Sequence, residues 1–224
     1  MKWADLSQQH LKQMNELLQG LRDHDEATFW HCQRVSEMAV ALARQAGLDA
    51  YDQLLAQVGG LLHDLGKKQI PLSILNKPGR LTEEEYLLMQ QHALFSAQMI
   101  EPLATDGFFR EVQEIVLHHH ERVDGTGYPF GLEEFEVPYI AKVILIVDTV
   151  DAMTVRRAYR RGLPKDVVYR ELEKFAGTQF DTQLAHIFIE MDKEQSRKRQ
   201  EAKPTLSLHR ARQKSRVRKP KQSA

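Results

Sequence analysis

Apolar residues recur three and four positions apart along most of this 224-residue chain, a spacing that predicts amphipathic helices. From Leu6 to Leu21 the positions Leu11, Met14, Leu17, Leu18 and Leu21 share a face, predicting a lead-in helix that packs on the body or on a second copy of the chain. A second helix is predicted from about Glu26 to Ala46, stopped by Gly47, with His31, Val35, Met38 and Leu42 along its buried stripe. Tyr51 to Leu65 forms a third, with Leu54, Leu55, Val58, Leu61 and Leu62 inward and His63 and Asp64 at its end. Thr82 to Glu85 reads as a capping box, and its helix carries Leu88, His92, Phe95 and Met99 on one face until Pro102. Phe108 to His119 follows, with Val112, Ile115, Val116 and His119 aligned. Glycine, aspartate and proline then predict a fixed loop from Glu121 to Pro129.

The run Val143 to Val147 favours a strand by propensity. No other segment offers it a partner, and a lone strand is not viable, so Ala141 to Val150 reads as a buried helix carrying Asp148. Pro164 to Ala176 and a last helix capped by Asp181, with Leu184, Ile187, Phe188 and Met191 inward, complete an all-α chain without internal repeats.

A hydrophobic fraction of 42% suffices for a sizeable core, and no run reaches the ~18 apolar residues of a membrane span. Met1 to Asp5 lacks the apolar core of a signal peptide, so a cytoplasmic protein is expected. The single cysteine, Cys32, excludes an internal disulfide and a thiolate zinc cluster, and reads as a packing residue. The net charge of zero conceals an asymmetry. From Lys193 onward the chain holds 12 of the 31 Lys and Arg but 2 of the 31 Asp and Glu, leaving 19 basic and 29 acidic residues in the body. Such a basic tail suits contact with nucleic acid or an anionic membrane, or a disordered solvated extension.

Candidate chemistry centres on Gly59 to Lys68, where an apolar run delivers His63 and Asp64 and stops at Gly66. His31, His92, the triplet His118, His119 and His120, and Asp148 also fall on or at the ends of apolar helical faces. Singly, a histidine in an apolar stripe is ordinarily a hydrogen-bonded core residue. Together these groups form a set of nitrogen and oxygen donors without thiolate, suited to Fe, Mn, Ni, Co or Zn. Even five of these imidazoles with the two carboxylates exceed the needs of one ion, so two ions sharing a carboxylate is the natural count, and phosphoester hydrolysis the matching chemistry.

His31, His63-Asp64 with Lys67 in His-Asp-x-Gly-Lys, His92, His119-His120-Glu121, the stretch Asp124 to Pro129, Asp148 in Asp-Thr-Val-Asp-Ala-Met-Thr, and Gly177 to Asp181 resemble an HD-GYP domain in order and spacing. This is the cyclic di-GMP phosphodiesterase branch of the HD superfamily, and the resemblance runs from about Asp25 to about Met191. It implies a single HD-type helical bundle with a buried metal site, divided as a lead-in helix (1–24), a catalytic domain (25–192) and a basic tail (193–224). It implies hydrolysis of cyclic di-GMP to pGpG or GMP by a hydroxide bridging two divalent ions, Fe or Mn foremost. His31, His63, Asp64, His92, His119, His120 and Asp148 match the family's metal ligands, with Asp64 as the bridge; His118 falls outside the motif. Lys67 matches the lysine that steadies the reacting phosphate, and Arg157 and Arg160 match residues that hold substrate phosphates. Gly127, Tyr128 and Pro129 match the loop at the site entrance, which also offers a surface to diguanylate cyclase (GGDEF) partners. Some members hold a third metal with a glutamate four residues before the first histidine. Here that position is Ala27, and Glu26 beside it is turned by about 100°, so two metals are expected. The rival readings are an HD phosphohydrolase for another nucleotide and a non-catalytic cyclic di-GMP receptor or scaffold. The GYP loop argues against the first and the intact ligand set against the second.

Overall fold

The computed structural model describes residues 6–155 and 162–201, which fold into helices joined by turns and short 3-10 segments, with no strand among the described residues. Asp25 both ends α1 (Gln8–His24) and starts α2 (Glu26–Gln45), where its carboxylate accepts from the Thr28 N–H at 2.8 Å. Gly47, at φ 79°, stops α2. Asp49 caps α3 (Ala50–Leu62), which packs along α2. A 3-10 segment, Leu65–Gln69, and a one-turn helix α4 (Leu72–Leu75) lead to α5 (Glu83–Gln90), opened by the Thr82–Glu85 capping box.

The helix predicted through Pro102 is two helices. α5 breaks at Gln91 and α6 (His92–Ile100) starts anew. Phe95 and Met99 are half-buried, and the buried face of α6 is His92, Ala93, Ser96, Ala97 and Ile100. Small residues face inward because the 3-10 segment lies directly against them. The Gly66 N–H donates to Ser96 Oγ at 2.7 Å, and a Cβ on Gly66 would sit 2.1 Å from the His92 carbonyl oxygen. Only glycine permits that approach.

α7 (Gly107–Leu117) packs on α3 and α6. α8 (Tyr139–Thr154) is buried without interruption from Ile140 to Val147 and packs against both α2 and α3. A helix buried on every side over this stretch is the centre of a bundle, and that burial accounts for a β-branched run adopting helix against its propensity. α9 (Lys165–Lys174) buries Val168 and Leu172, and α10 (Thr182–Glu201) starts where Asp181 accepts from the Leu184 N–H at 2.9 Å.

The chain divides into two compact units, Met1–Ile189 and Glu190–Ala224. The first contains the bundle core. In the second, the described end of α10 carries Lys193–Glu190 and Lys198–Glu194 ion pairs along its exposed face. The tail beyond Glu201, and Arg157 and Arg160, lie outside the described residues.

Candidate metal centre

Helix ends build most of the site. The last carbonyls of an α-helix have no partner within it. Three histidines occupy this position and use it identically. His63 Nδ1 donates to the Gly60 carbonyl at the end of α3 (2.9 Å), His92 Nδ1 to Met89 at the end of α5 (2.7 Å), and His119 Nδ1 to Val116 at the end of α7 (2.6 Å). A carbonyl only accepts, so each Nδ1 carries a proton, and in the neutral ring it is Nε2 that keeps the lone pair. The break between α5 and α6 thus has a chemical consequence: it leaves the last turn of α5 open to orient His92.

Those Nε2 atoms converge on Asp64, which is 1% exposed. Its Oδ1 lies 3.3 Å from His92 Nε2, while its Oδ2 lies 3.3 Å from His63 Nε2 and 3.4 Å from His31 Nε2. One carboxylate therefore faces two groups of imidazoles, His31 with His63 on one side and His92, His119 and His120 on the other. His92 Nε2 is 3.3 Å from His119 Nε2 and 3.1 Å from His120 Nε2. Asp148 Oδ1, from α8, is 3.0 Å from His31 Nε2. The structure thus brings together the seven residues that match the metal ligands of the resembled family. His118 instead turns its Nε2 to Glu114, at 3.3 Å. Cys32 is buried on α2 and belongs to neither group.

With the rings neutral, acceptors here face acceptors. His63 Nε2 and Asp64 Oδ1 are buried without a hydrogen-bond partner. Each such group costs about 1–3 kcal/mol if left so, and a cation satisfies them together. Lys67 Nζ, 2.5 Å from Asp64 Oδ2, supplies a single positive charge on one edge. Burial pushes His92 down to about 4, with Asp64 only partly opposing it, and burial with the neighbouring His92 pushes His120 down to about 3. Burial and His120 hold His119 well below the usual range. This second group is therefore neutral imidazole, the form that ligates metals. Burial alone would lower His63, but the adjacent Asp64 carboxylate raises it to about 10; the carboxylates of Asp148, Asp151 and Asp64 raise His31 against the same penalty. The first group thus lies in a field that attracts positive charge. Nitrogen and carboxylate donors in two groups sharing Asp64 fit a pair of divalent cations.

The less buried members, His120 and Asp148, line a cavity of about 480 Å³ with Gln90, Arg122, Tyr128 and Gln179. That volume falls in the ~300–1,000 Å³ range of small-molecule sites. The Tyr128 ring stacks on His120 at 4.6 Å. Its loop is held by polar bonds. Arg122 donates to both Asp124 oxygens at 3.0 and 2.6 Å, and Asp124 Oδ1 accepts from the Thr126 hydroxyl at 2.6 Å. The Asp124 N–H donates to the Thr178 carbonyl at 2.9 Å, tying the loop to the Gly177–Asp181 stretch. Gly127 lies so close to the preceding strand of loop that a Cβ would be 2.4 Å from the Arg122 nitrogen.

Three residues are given no role by the sequence reading, though Glu121 and Asp151 lie inside motifs it quotes. Asp151 accepts from His31 Nδ1 at 2.7 Å and is gripped by Arg34. Glu121, 1% exposed, accepts from the Phe130 N–H at 2.8 Å and the Leu132 N–H at 3.1 Å, closing the loop from beneath. The available signal was spacing: Arg34 is one turn from His31, and Asp151 one turn from Asp148. Glu26, by contrast, is exposed and accepts from Arg22 at 3.2 Å.

A family model described as HD domain matches residues 4–184. A cyclic di-GMP phosphodiesterase of Pseudomonas aeruginosa is 38% identical over 189 residues, covering 83% of this chain and 44% of that protein. A cyclic di-GMP phosphodiesterase of Thermotoga maritima is 34% identical over 180 residues, covering 80% of this chain and 49% of that protein. Among solved structures, a HDG"Y"P protein of Bdellovibrio bacteriovorus superposes with a TM-score of 0.60 at 25% identity, covering 73% of this chain and 51% of that one. The chain thus spans about half the length of these relatives.

Proposed function

This chain belongs to the HD domain family and carries a domain of the HD-GYP type, and from that premise we propose that it is a metal-dependent phosphodiesterase acting on cyclic di-GMP, with pGpG or GMP as product. The observation that carries the reading is Asp64, one buried carboxylate with an oxygen toward each of two imidazole groups. In this reading His31, His63 and Asp148 would hold one ion and His92, His119 and His120 the other, with Asp64 shared between them. The donor set suits Fe or Mn first, with Ni, Co or Zn as alternatives. Bound there, two divalent ions supply Lewis acidity toward a phosphoryl group and toward water.

The chain's own residues supply the rest. Lys67, one turn from Asp64, holds a positive charge beside the reacting phosphate, where a fixed cation favours developing negative charge. His120 and Asp148 border the cavity through which a dinucleotide enters, and the Arg122–Asp124–Thr126 bonds keep Tyr128 in its wall. Gly127, Tyr128 and Pro129 form the rim and the surface for a diguanylate cyclase. Arg157 and Arg160 hold substrate phosphates. The catalytic domain is residues 25–192; the lead-in helix offers a face to a second copy, and the basic tail serves either contact with nucleic acid or an anionic membrane or as a solvated extension.

Turnover of cyclic di-GMP by protein purified without oxygen and loaded with Mn or Fe tests the reading, alongside a panel of other nucleotides. Asp64→Ala is expected to lose both ions and to lower turnover by about 10³-fold or more. Cyclic di-GMP binding without turnover in loaded wild-type protein would contradict the enzyme and leave a receptor.

A further inference from the structure

We propose that Asp151 and Arg34 form a positioning pair that fixes how His31 presents its Nε2 to the metal centre, an inference that rests on the metal-centre reading above. The helix-end histidines, His63, His92 and His119, borrow a terminal carbonyl to hold Nδ1. His31 cannot. It sits inside α2, where the neighbouring carbonyls are spent in the helix itself. It needs an acceptor from elsewhere, and α8 provides one. Asp151 Oδ2 accepts from His31 Nδ1 at 2.7 Å, and Asp151 is 3% exposed.

A buried carboxylate needs a countercharge of its own. Arg34 delivers it as a two-pronged clamp, Nε to Oδ1 at 2.7 Å and Nη2 to Oδ2 at 2.8 Å. The four residues close a rectangle between two helices: His31 and Arg34 one turn apart on α2, Asp148 and Asp151 one turn apart on α8. With both Asp151 oxygens anchored, the imidazole has one place to put its Nδ1 proton, and Nε2 is left aimed at Asp148 and Asp64, at 3.0 and 3.4 Å. A salt bridge that merely joined α2 to α8 would be complete with Arg34 and Asp151 alone. The third bond, to His31, is the one that serves the site. Partners of this kind typically tune metal affinity 10–100-fold.

Asp151→Asn keeps the shape but has one acceptor where two are used, so an amide N–H must face either His31 or Arg34. The test pairs two readouts on wild type, Asp151→Asn and Arg34→Met: Mn²⁺ affinity and stoichiometry by equilibrium dialysis, and the Nδ1–H proton signal of His31 by NMR on metal-free protein. The expected result is a downfield, solvent-protected His31 Nδ1–H in wild type that is lost or moved upfield in Asp151→Asn, with one of two Mn²⁺ ions bound about 10–100-fold more weakly. Arg34→Met, at a half-exposed position, is expected to show the same changes in smaller degree, and carries the test if Asp151→Asn does not fold. Unchanged affinity, or weakened affinity with the His31 signal unaltered, would overturn the inference. A wild-type protein that takes up no Mn²⁺ would overturn the metal-centre reading instead, and the NMR comparison would still decide whether the pair positions His31.

Discussion

Each anchored imidazole of the centre takes its aim from an acceptor outside the set of proposed ligands. For His63, His92 and His119 that acceptor is main chain, and for His31 it is Asp151. The histidines themselves stand out in the sequence because polar residues in apolar stripes are conspicuous. Asp151 and Arg34 do not, because a charged pair one turn away reads as an ordinary helix surface until two helices are known to cross there. The loop residues make a pH prediction. The Arg122 guanidinium, with help from Thr126, holds the Asp124 carboxyl below the usual carboxylate range. A carboxylate depressed in the folded state contributes stability above its unfolded value, near 4, and that contribution is lost as pH falls from there through the folded value. Thermal midpoints measured from pH 6 to pH 2 are therefore expected to fall less steeply below pH 4 in Asp124→Asn than in wild type. Solvent screening keeps this difference at about 0.2–1 kcal/mol.

At the scale of elements, periodicity located the helices well where their faces were unbroken. α2 stops at Gly47, α5 opens on its capping box, and α8 is helix because a buried segment without a partner strand has no other way to satisfy its backbone. The break at Gln91 was invisible for a physical reason. Apolar spacing runs through it, and the cause is tertiary: the 3-10 segment after Asp64 presses Gly66 against the first turn of α6. The same contact fixes the distance between Asp64 and His92. Gly66→Ala must push two backbones apart, so it is expected to destabilise the fold by about 1–3 kcal/mol, read as a lowered denaturant midpoint. Metal content is expected to fall in the same variant even where it remains folded, because Asp64 and His92 separate.

For the molecule as a whole, the bundle brings to one point residues from His31 to Asp148 that lie on five segments of chain. That imidazoles and carboxylates would meet could be argued from their number and type; which two of the three consecutive histidines belong came from the resemblance to HD-GYP domains. That Asp64 would turn one oxygen to each group depends on how α3 ends, which spacing alone does not encode. No helix among the described residues is long and apolar enough to cross a membrane. The body is acidic, yet its centre gathers donors suited to cations, and the proposed anionic substrate would be drawn through them. The central claim is that seven side chains hold two ions. Elemental analysis of protein purified without oxygen measures this directly: the account predicts two divalent transition-metal ions per chain in wild type, and a fully folded wild-type protein that retains none after incubation with Mn²⁺ or Fe²⁺ would contradict it.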